Sequence, residues 1–218
     1  MYRRFKQIVY KKLIPFIQIW KKLSWRIYLF THSEIKIVVG AGPTKYKGWF
    51  STDIVTLDVT NENHFKKYFK KKRIHKVLAE HVLEHLTKDE LEIMIDNFQK
   101  YSSNEVNFRI AVPDGFNKDK EYIQRVKPGG TGEGAEDHKH LFNFKSLSGL
   151  FEAHNFKAKL VEYWDENGDF HYGEVSPLIG FSKETIEDCE NKLISLIHMG
   201  VLLTALAEIK IFVKEIID

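Results

Sequence analysis

The sequence predicts an α/β protein built on an open, mostly parallel sheet with helices on both faces and an antiparallel strand acquired late. Three observations predict it. From Glu34 onward, short apolar runs alternate with turns and helical segments, the pattern of a parallel sheet covered on both faces. The first run, Ile35 to Val39, empties into Gly40-Ala41-Gly42-Pro43, where glycines let backbone N–H groups approach a ligand closely. Near the other end, Asn167-Gly168 is a hairpin signal, which turns the chain back against a preceding strand.

At 218 residues the chain can fill one core and is too short for two full domains. With 43% hydrophobic and 29% charged residues, the composition excludes wholesale disorder and a multispanning membrane protein. A net charge of +3 does not by itself imply nucleic acid. The region after Glu34 shows no basic stripe with interleaved aromatics, so a nucleic-acid partner is not expected. Cys189 is the single cysteine, which permits neither an internal disulfide nor a Cys-x-x-Cys motif and points to a packing role.

Residues 1–33 read as an appended segment and residues 34–218 as the main domain. The appended segment carries eight Lys or Arg, with no Asp or Glu before Glu34, among Ile, Leu, Phe and Trp. This is a basic amphipathic helix, expected to be interrupted near Pro15, that can lie on anionic lipid. The alternative is a helix that packs on its own domain. Its longest apolar stretch, Leu13 to Ile17, is too short for a signal-peptide core and no small-residue cleavage site follows, which argues against export. A cytoplasmic protein in peripheral contact with the inner face of the membrane is the expectation.

Strands are predicted at about 35–39, 49–53, 55–58, 76–79, 106–112 and 157–163 from apolar runs bounded by turn residues. Thr87-Lys88-Asp89-Glu90 is a capping box ahead of Leu91, Met94, Ile95 and Phe98 at helical spacing, so a helix runs from 87 to about 101. A second helix spans about 145–154, with Leu147, Leu150 and Phe151 on one face and Asn155 as its stop. Leu193 to Ala207 is almost continuously apolar, but Glu208 and Lys210 end it short of the roughly 18 to 20 residues of a membrane span. A buried or interfacial helix is expected there.

Two chemistries compete for Glu80-His81-Val82-Leu83-Glu84-His85. It is either the mouth of a cofactor pocket at the end of a buried strand, or the inverted zinc-protease motif His81-x-x-Glu84-His85. The capping box at Thr87 places His81 to His85 in the strand-to-helix turn, not on one helical face, which favours the pocket; no metal ligand is assigned. Gly40-Ala41-Gly42 lacks the third glycine or alanine of a dinucleotide fingerprint, since position 45 is Lys45, and Pro43 to Gly48 leaves barely one helical turn. A ligand without phosphates suits this turn better than a pyrophosphate does. Asp53 ends the second run, where a carboxylate can accept both hydrogen bonds of a ribose diol or serve as a solvated turn residue. Asp58 ends the third, at a rim where an adenine amino group could be met, or caps a helix beginning near Asn61.

In order and spacing, Gly40-Ala41-Gly42-Pro43, Gly48 to Ile54, Leu57-Asp58-Val59-Thr60, Ala79 to Leu86 and Ala111-Val112-Pro113-Asp114-Gly115 resemble the class I S-adenosylmethionine-dependent methyltransferases. The likeness is greatest to the compact bacterial type with a shortened first crossover, known as methyltransferase type 11. It continues through Val126 to Gly132, Asp137 to Phe142 and Glu166-Asn167-Gly168, covering about residues 35–172. The resemblance implies a Rossmann-like fold, S-adenosyl-L-methionine as cofactor, and methyl transfer to a small-molecule or glycan-type acceptor. It implies that Gly40, Ala41 and Gly42 border the methionine part, Asp53 the ribose and Asp58 the adenine, with Glu80 and His81 at the pocket floor near the sulfonium. His81 and His138 are the candidate proton acceptors, since a neutral imidazole can take a proton from an acceptor hydroxyl or amine. His138 follows the glycine-rich segment Gly129 to Gly134, read as a mobile lid.

Two departures stand out. Val38 occupies the place of the family's acidic residue two before the first glycine, and the segment after Tyr172 no longer resembles the closing hairpin, leaving the last strand to fall within Ile209 to Val213. A zinc-dependent hydrolase on His81, Glu84 and His85, and a non-catalytic membrane-surface protein with the same fold, are the rival expectations.

Overall fold

The computed structural model describes residues 2–42, 44–69, 74–172 and 208–215, with side chains given between 13 and 172. Seven strands form one sheet among these residues, in the order β2-β1-β3-β4-β7-β5-β6. They are β1 (Ile35–Val39), β2 (Phe50–Ser51), β3 (Ile74–Glu80), β4 (Ser102–Pro113), β5 (Phe156–Trp164), β6 (Phe170–Tyr172) and β7 (Glu208–Glu215). The first four pair in parallel. β7 is antiparallel to both β4 and β5, and β6 is antiparallel to β5 across the predicted Asn167-Gly168 turn. This is the Rossmann-like sheet expected, and the last strand spans the predicted Ile209 to Val213. Leu193 to Ala207 and Cys189 lie outside the described residues.

Five helices accompany the sheet among the described residues: α1 (Tyr2–Thr31), α2 (Glu62–Tyr68), α3 (Lys88–Tyr101), α4 (Lys120–Val126) and α5 (Phe144–Glu152). The capping box that opens α3 is formed: Thr87 N–H donates to Glu90 Oε2 at 2.8 Å while Glu90 N–H donates to Thr87 Oγ1 at 3.3 Å. α5 stops where Asn155 adopts φ +61°, a left-handed turn that asparagine tolerates better than most residues.

Two expectations are corrected. α1 is continuous through Pro15; a proline forfeits one backbone hydrogen bond, and the helical runs on either side carry the helix across it. No strand forms at 55–58. There the backbone turns on Asp53, whose carbonyl accepts from Thr56 N at 2.9 Å and Leu57 N at 2.8 Å. Leu57 and Val59 are nevertheless buried, so the apolar run marked burial and not extension. Side-chain acceptors on Asp53 and Asp58 offer these amides local partners, which compete with a strand ladder.

The core gathers the inner faces of β1, β3 and β4 with α3 and α5, and extends onto α1. Trp25 of α1 is fully buried, its ring centroid 4.8 Å from Phe50, 5.8 Å from Tyr68 and 5.9 Å from Phe69. Tyr28, one turn along, accepts from Lys36 N–H at 3.0 Å and donates to the Lys36 carbonyl at 2.9 Å, clamping α1 to β1. The second half of α1 is therefore a layer of the fold. Trp25→Ala should cost about 3 to 5 kcal/mol in urea unfolding, whereas Trp20→Ala, on the exposed face, should stay within about 0.5 kcal/mol. Equal losses at both positions would remove Trp25 from the core.

Candidate active site

β1 and β3 run in parallel with Val39 opposite Ala79, so both end at one edge of the sheet. The two exits meet there. Gly40 sits at φ +59°, and a Cβ on it would lie 2.7 Å from Val82 Cγ2, so this residue needs glycine twice over, for conformation and for space. Ala41 is buried and its N–H donates to the Thr52 carbonyl at 3.1 Å, tying the loop to the end of β2. A Cβ on Gly42, at φ +51°, would meet nothing within 4 Å, so open space lies beside this loop.

Asp53 follows β2 at the same edge. Its Oδ1 accepts from Val55 N at 3.0 Å, Thr56 N at 3.1 Å and Thr56 Oγ1 at 3.1 Å, and Oδ2 is ion-paired with Lys21 of α1. Partial burial pushes its carboxyl up, but the Lys21 ammonium and the Thr56 donors outweigh that and hold it below the usual range. Asp58 folds onto its own turn, Oδ1 accepting from Thr60 N at 3.0 Å and Thr60 Oγ1 at 2.7 Å. It does not cap α2, which is capped by Asn61 through a bond from Asn63 N at 3.0 Å.

Glu80 ends β3 paired with the buried guanidinium of Arg109 from β4. His81 follows at φ +53°, its N–H donating to the Ala111 carbonyl at 3.0 Å and its Nδ1 3.2 Å from Glu84 Oε1. A positive φ in a residue other than glycine is uncommon and concentrates at functional turns. Glu84 is fully buried; its backbone carbonyl accepts from Lys139 N at 2.6 Å and His140 N at 3.2 Å. The glycine-rich segment thus docks on the β3–α3 turn. Its own backbone is bonded to α4, Thr131 N donating to Gln124 O at 3.2 Å and Gly132 N to Arg125 O at 3.0 Å. His138 Nδ1 lies 2.7 Å from the Val126 carbonyl, so that nitrogen carries the hydrogen and Nε2 the lone pair.

The geometry therefore brings Gly40, Ala41, Gly42, Asp53, Glu80 and His81 to one sheet edge, and His138 to the neighbouring His85, ring centroids 4.7 Å apart. The inverted zinc-protease arrangement is not assembled: the potential ligand atoms that cluster among the described residues belong to Glu84, His85 and His138, without His81.

Sequence reasoning gave no role to Lys21 or Asp114. Lys21 lies 32 positions from Asp53, and nothing local signals that pairing. Asp114 ends β4 fully buried, with Oδ1 accepting from Phe116 N at 2.9 Å and Oδ2 from Trp164 N of β5 at 2.8 Å. Its place in Val112-Pro113-Asp114-Gly115, just past an apolar strand, was the available clue.

No protein-family model matches the chain, and no curated protein matches it. Solved structures do. A SAM-dependent methyltransferase from Archaeoglobus fulgidus is 16% identical with a TM-score of 0.47, covering 91% of this chain and 94% of its own. A SAM-dependent methyltransferase from Thermotoga maritima is 11% identical with a TM-score of 0.47, covering 99% and 98%. The plantazolicin methyltransferase BamL, in complex with a triazolic desmethylPZN analogue and SAH, is 11% identical with a TM-score of 0.48, covering 91% and 84%.

Burial raises the Asp114 carboxyl to about 6, outweighing the two backbone donors that favour its charged form. A raised folded-state value means the native protein holds that proton more tightly than the unfolded chain. The contribution is complete below the unfolded value near 4 and is lost as pH rises through about 6, at most roughly 3 kcal/mol. Urea unfolding of wild type and Asp114→Asn should therefore diverge on acidification from pH 7 to 4, the wild type gaining relative to the variant. Parallel stability profiles would show that Asp114 is not the titrating group.

Proposed function

We propose that the chain is a class I S-adenosylmethionine-dependent methyltransferase acting on a small-molecule or glycan-type acceptor. The observation that carries this reading is the convergence of the Gly40-Ala41-Gly42 exit, Asp53 and His81 on the carboxyl edge of parallel strands, where open α/β sheets bind ligands. The antiparallel β7 between β4 and β5 supports it as the closing strand that the sequence resemblance calls for.

These residues fit the cofactor. The open space beside Gly42 admits a ligand against the loop backbone. Asp53, held below the usual carboxylate range, is an anionic acceptor suited to a ribose diol once Lys21 swings away. Glu80 is fixed by Arg109 and shapes the floor. Asp58, whose Oδ1 accepts from Thr60 in its own turn, is the residue this reading assigns to the adenine. S-adenosylmethionine supplies an already activated methyl group, so the protein's work is orientation and, where the acceptor is protonated, removal of a proton. His81 is the residue assigned to that edge. Its Nδ1 lies 3.2 Å from Glu84 Oε1, which orients the ring at the end of β3.

Losing the ribose bonds to Asp53 should cost about 2 to 3 kcal/mol, or roughly 30- to 150-fold in affinity. Titration calorimetry of S-adenosylhomocysteine against Asp53→Ala measures this directly. A change smaller than about threefold removes Asp53 from the cofactor site.

We also propose that α1 contacts the cytoplasmic face of an anionic membrane. Phe16, Trp20, Leu23, Ile27 and Phe30, spaced i, i+4, i+7, i+11 and i+14, share a face opposite the buried Trp25 and are all exposed, Phe30 at 91%. Arg26 and Lys67 line a groove of about 330 Å³ with Leu29, Phe30 and Tyr68, putting cations beside this apolar strip. No helix among the described residues is long and apolar enough to cross a membrane. Binding to vesicles containing phosphatidylserine should weaken with added salt, because screening shortens the reach of the basic residues. Trp20→Glu with Phe30→Glu should abolish it without unroofing Trp25, and vesicle binding unaltered by both substitutions would overturn the assignment.

A further inference from the structure

We infer that Glu84, His85 and His138 form a binding site for a divalent transition-metal ion that joins the β3–α3 turn to the glycine-rich segment. One carboxylate oxygen of Glu84 and one ring nitrogen from each histidine lie within 4.8 Å of one another. Glu84 is fully buried. Its Oε1 is engaged by His81, while Oε2 is buried with no hydrogen-bond partner. Buried carboxylate oxygens ordinarily have a donor or a cation, so this atom points to a ligand.

The surroundings of the two histidines are those of metal ligands. An imidazole that binds a metal donates its other N–H to a backbone carbonyl or carboxylate, which fixes tautomer and orientation. His138 Nδ1 makes such a bond, 2.7 Å from the Val126 carbonyl, while His85 Nδ1 faces Asp137 Oδ2 at 3.6 Å, beyond hydrogen-bond reach. His138 then presents its Nε2 lone pair, and the two rings stand edge to face at 80°. The bonds from Lys139 N and His140 N to the Glu84 carbonyl bolt the segment carrying His138 against the turn carrying Glu84 and His85, so the three ligands do not depend on a flexible loop for their approach.

Two imidazoles and one carboxylate suit zinc or a neighbouring first-row divalent ion better than magnesium or calcium, which prefer all-oxygen shells. Tetrahedral bonds of about 2.0 to 2.1 Å set ligand atoms roughly 3.3 Å apart, so the set must close modestly around the ion. The side chain of His85 is 31% exposed, which leaves it room to rotate. Three protein ligands leave a coordination position for water or for an oxygen of the acceptor. This site uses His138 as a ligand and not as a base, and it shares no residue with Gly40, Gly42 and Asp53.

The test is calorimetric titration of Zn²⁺ into the full chain after chelator treatment and removal of the chelator, with S-adenosylhomocysteine binding measured in parallel. One ion per chain is expected. Affinity should fall at least about tenfold in His85→Ala and in His138→Ala and be unchanged in His171→Ala, which lies on β6. Cobalt substitution of the wild-type protein gives a check independent of folding in the variants, since ligand-field bands report imidazole–carboxylate coordination. No saturable binding, or binding that survives both substitutions, overturns the site. Failure of S-adenosylhomocysteine to bind would count against the methyltransferase reading alone.

Discussion

The parallel pairing of β1 with β3 is the constraint on which the rest depends. Because Val38 lies opposite Leu78 and Val39 opposite Ala79, both chains must leave the sheet at the same edge and at the same height. Gly40 and Val82 are then forced into contact, with no room for a Cβ between them. His81 N–H donates to the Ala111 carbonyl of β4, and the backbone then turns away through a positive φ. That bond extends the edge to a third strand, and Asp114 at the end of β4 extends it to β5 through Trp164. A chain of backbone-directed bonds thus fixes the ends of four strands, and the open space beside Gly42 lies along it.

α1 shows how one sequence element can serve two environments. Its Trp25, Tyr28 and Leu29 face is spent on the core, while the Phe16 to Phe30 strip is left in solvent. Several large exposed side chains along one helical face are more than the scattered apolar exposure normal for a soluble surface. The packing that the basic N-terminal segment allowed is thus compatible with the lipid contact proposed above. The two concern opposite faces of the same helix.

Periodicity and turn chemistry made most of the fold legible. The α3 start was readable because a capping box is a local device, complete within Thr87 to Glu90. β1, β3 and β4 were readable because largely continuous burial leaves apolar runs, and β5 because exposed lysines alternate in it with more buried residues. The run at 55–58 misled for the same reason: Leu57 is buried, but hydrophobicity reports burial and not backbone extension, and two aspartates supplied local acceptors. In the site, the glycine exit, Asp53 and His81 could be placed because each ends a predicted strand. The Arg109–Glu80 pair depended on the β3–β4 register, and the approach of His138 to His85 on how the segment from 127 to 140 folds back. Neither has a signature within a short window.

The Lys21–Asp53 pair shows how magnitudes decide between a structural and a functional role. Its partners are 47% and 30% exposed, and ion pairs at that exposure contribute about 0 to 1 kcal/mol, less at physiological salt. Hydrogen bonds to a charged acceptor contribute roughly 1.5 to 3 kcal/mol each. On the proposed reading, a ribose diol would displace the ammonium. The three bonds that Oδ1 makes within its own turn keep the carboxylate in place while Oδ2 changes partner. The turn that replaced the expected strand is thus what positions Asp53, and Lys21 balances its charge.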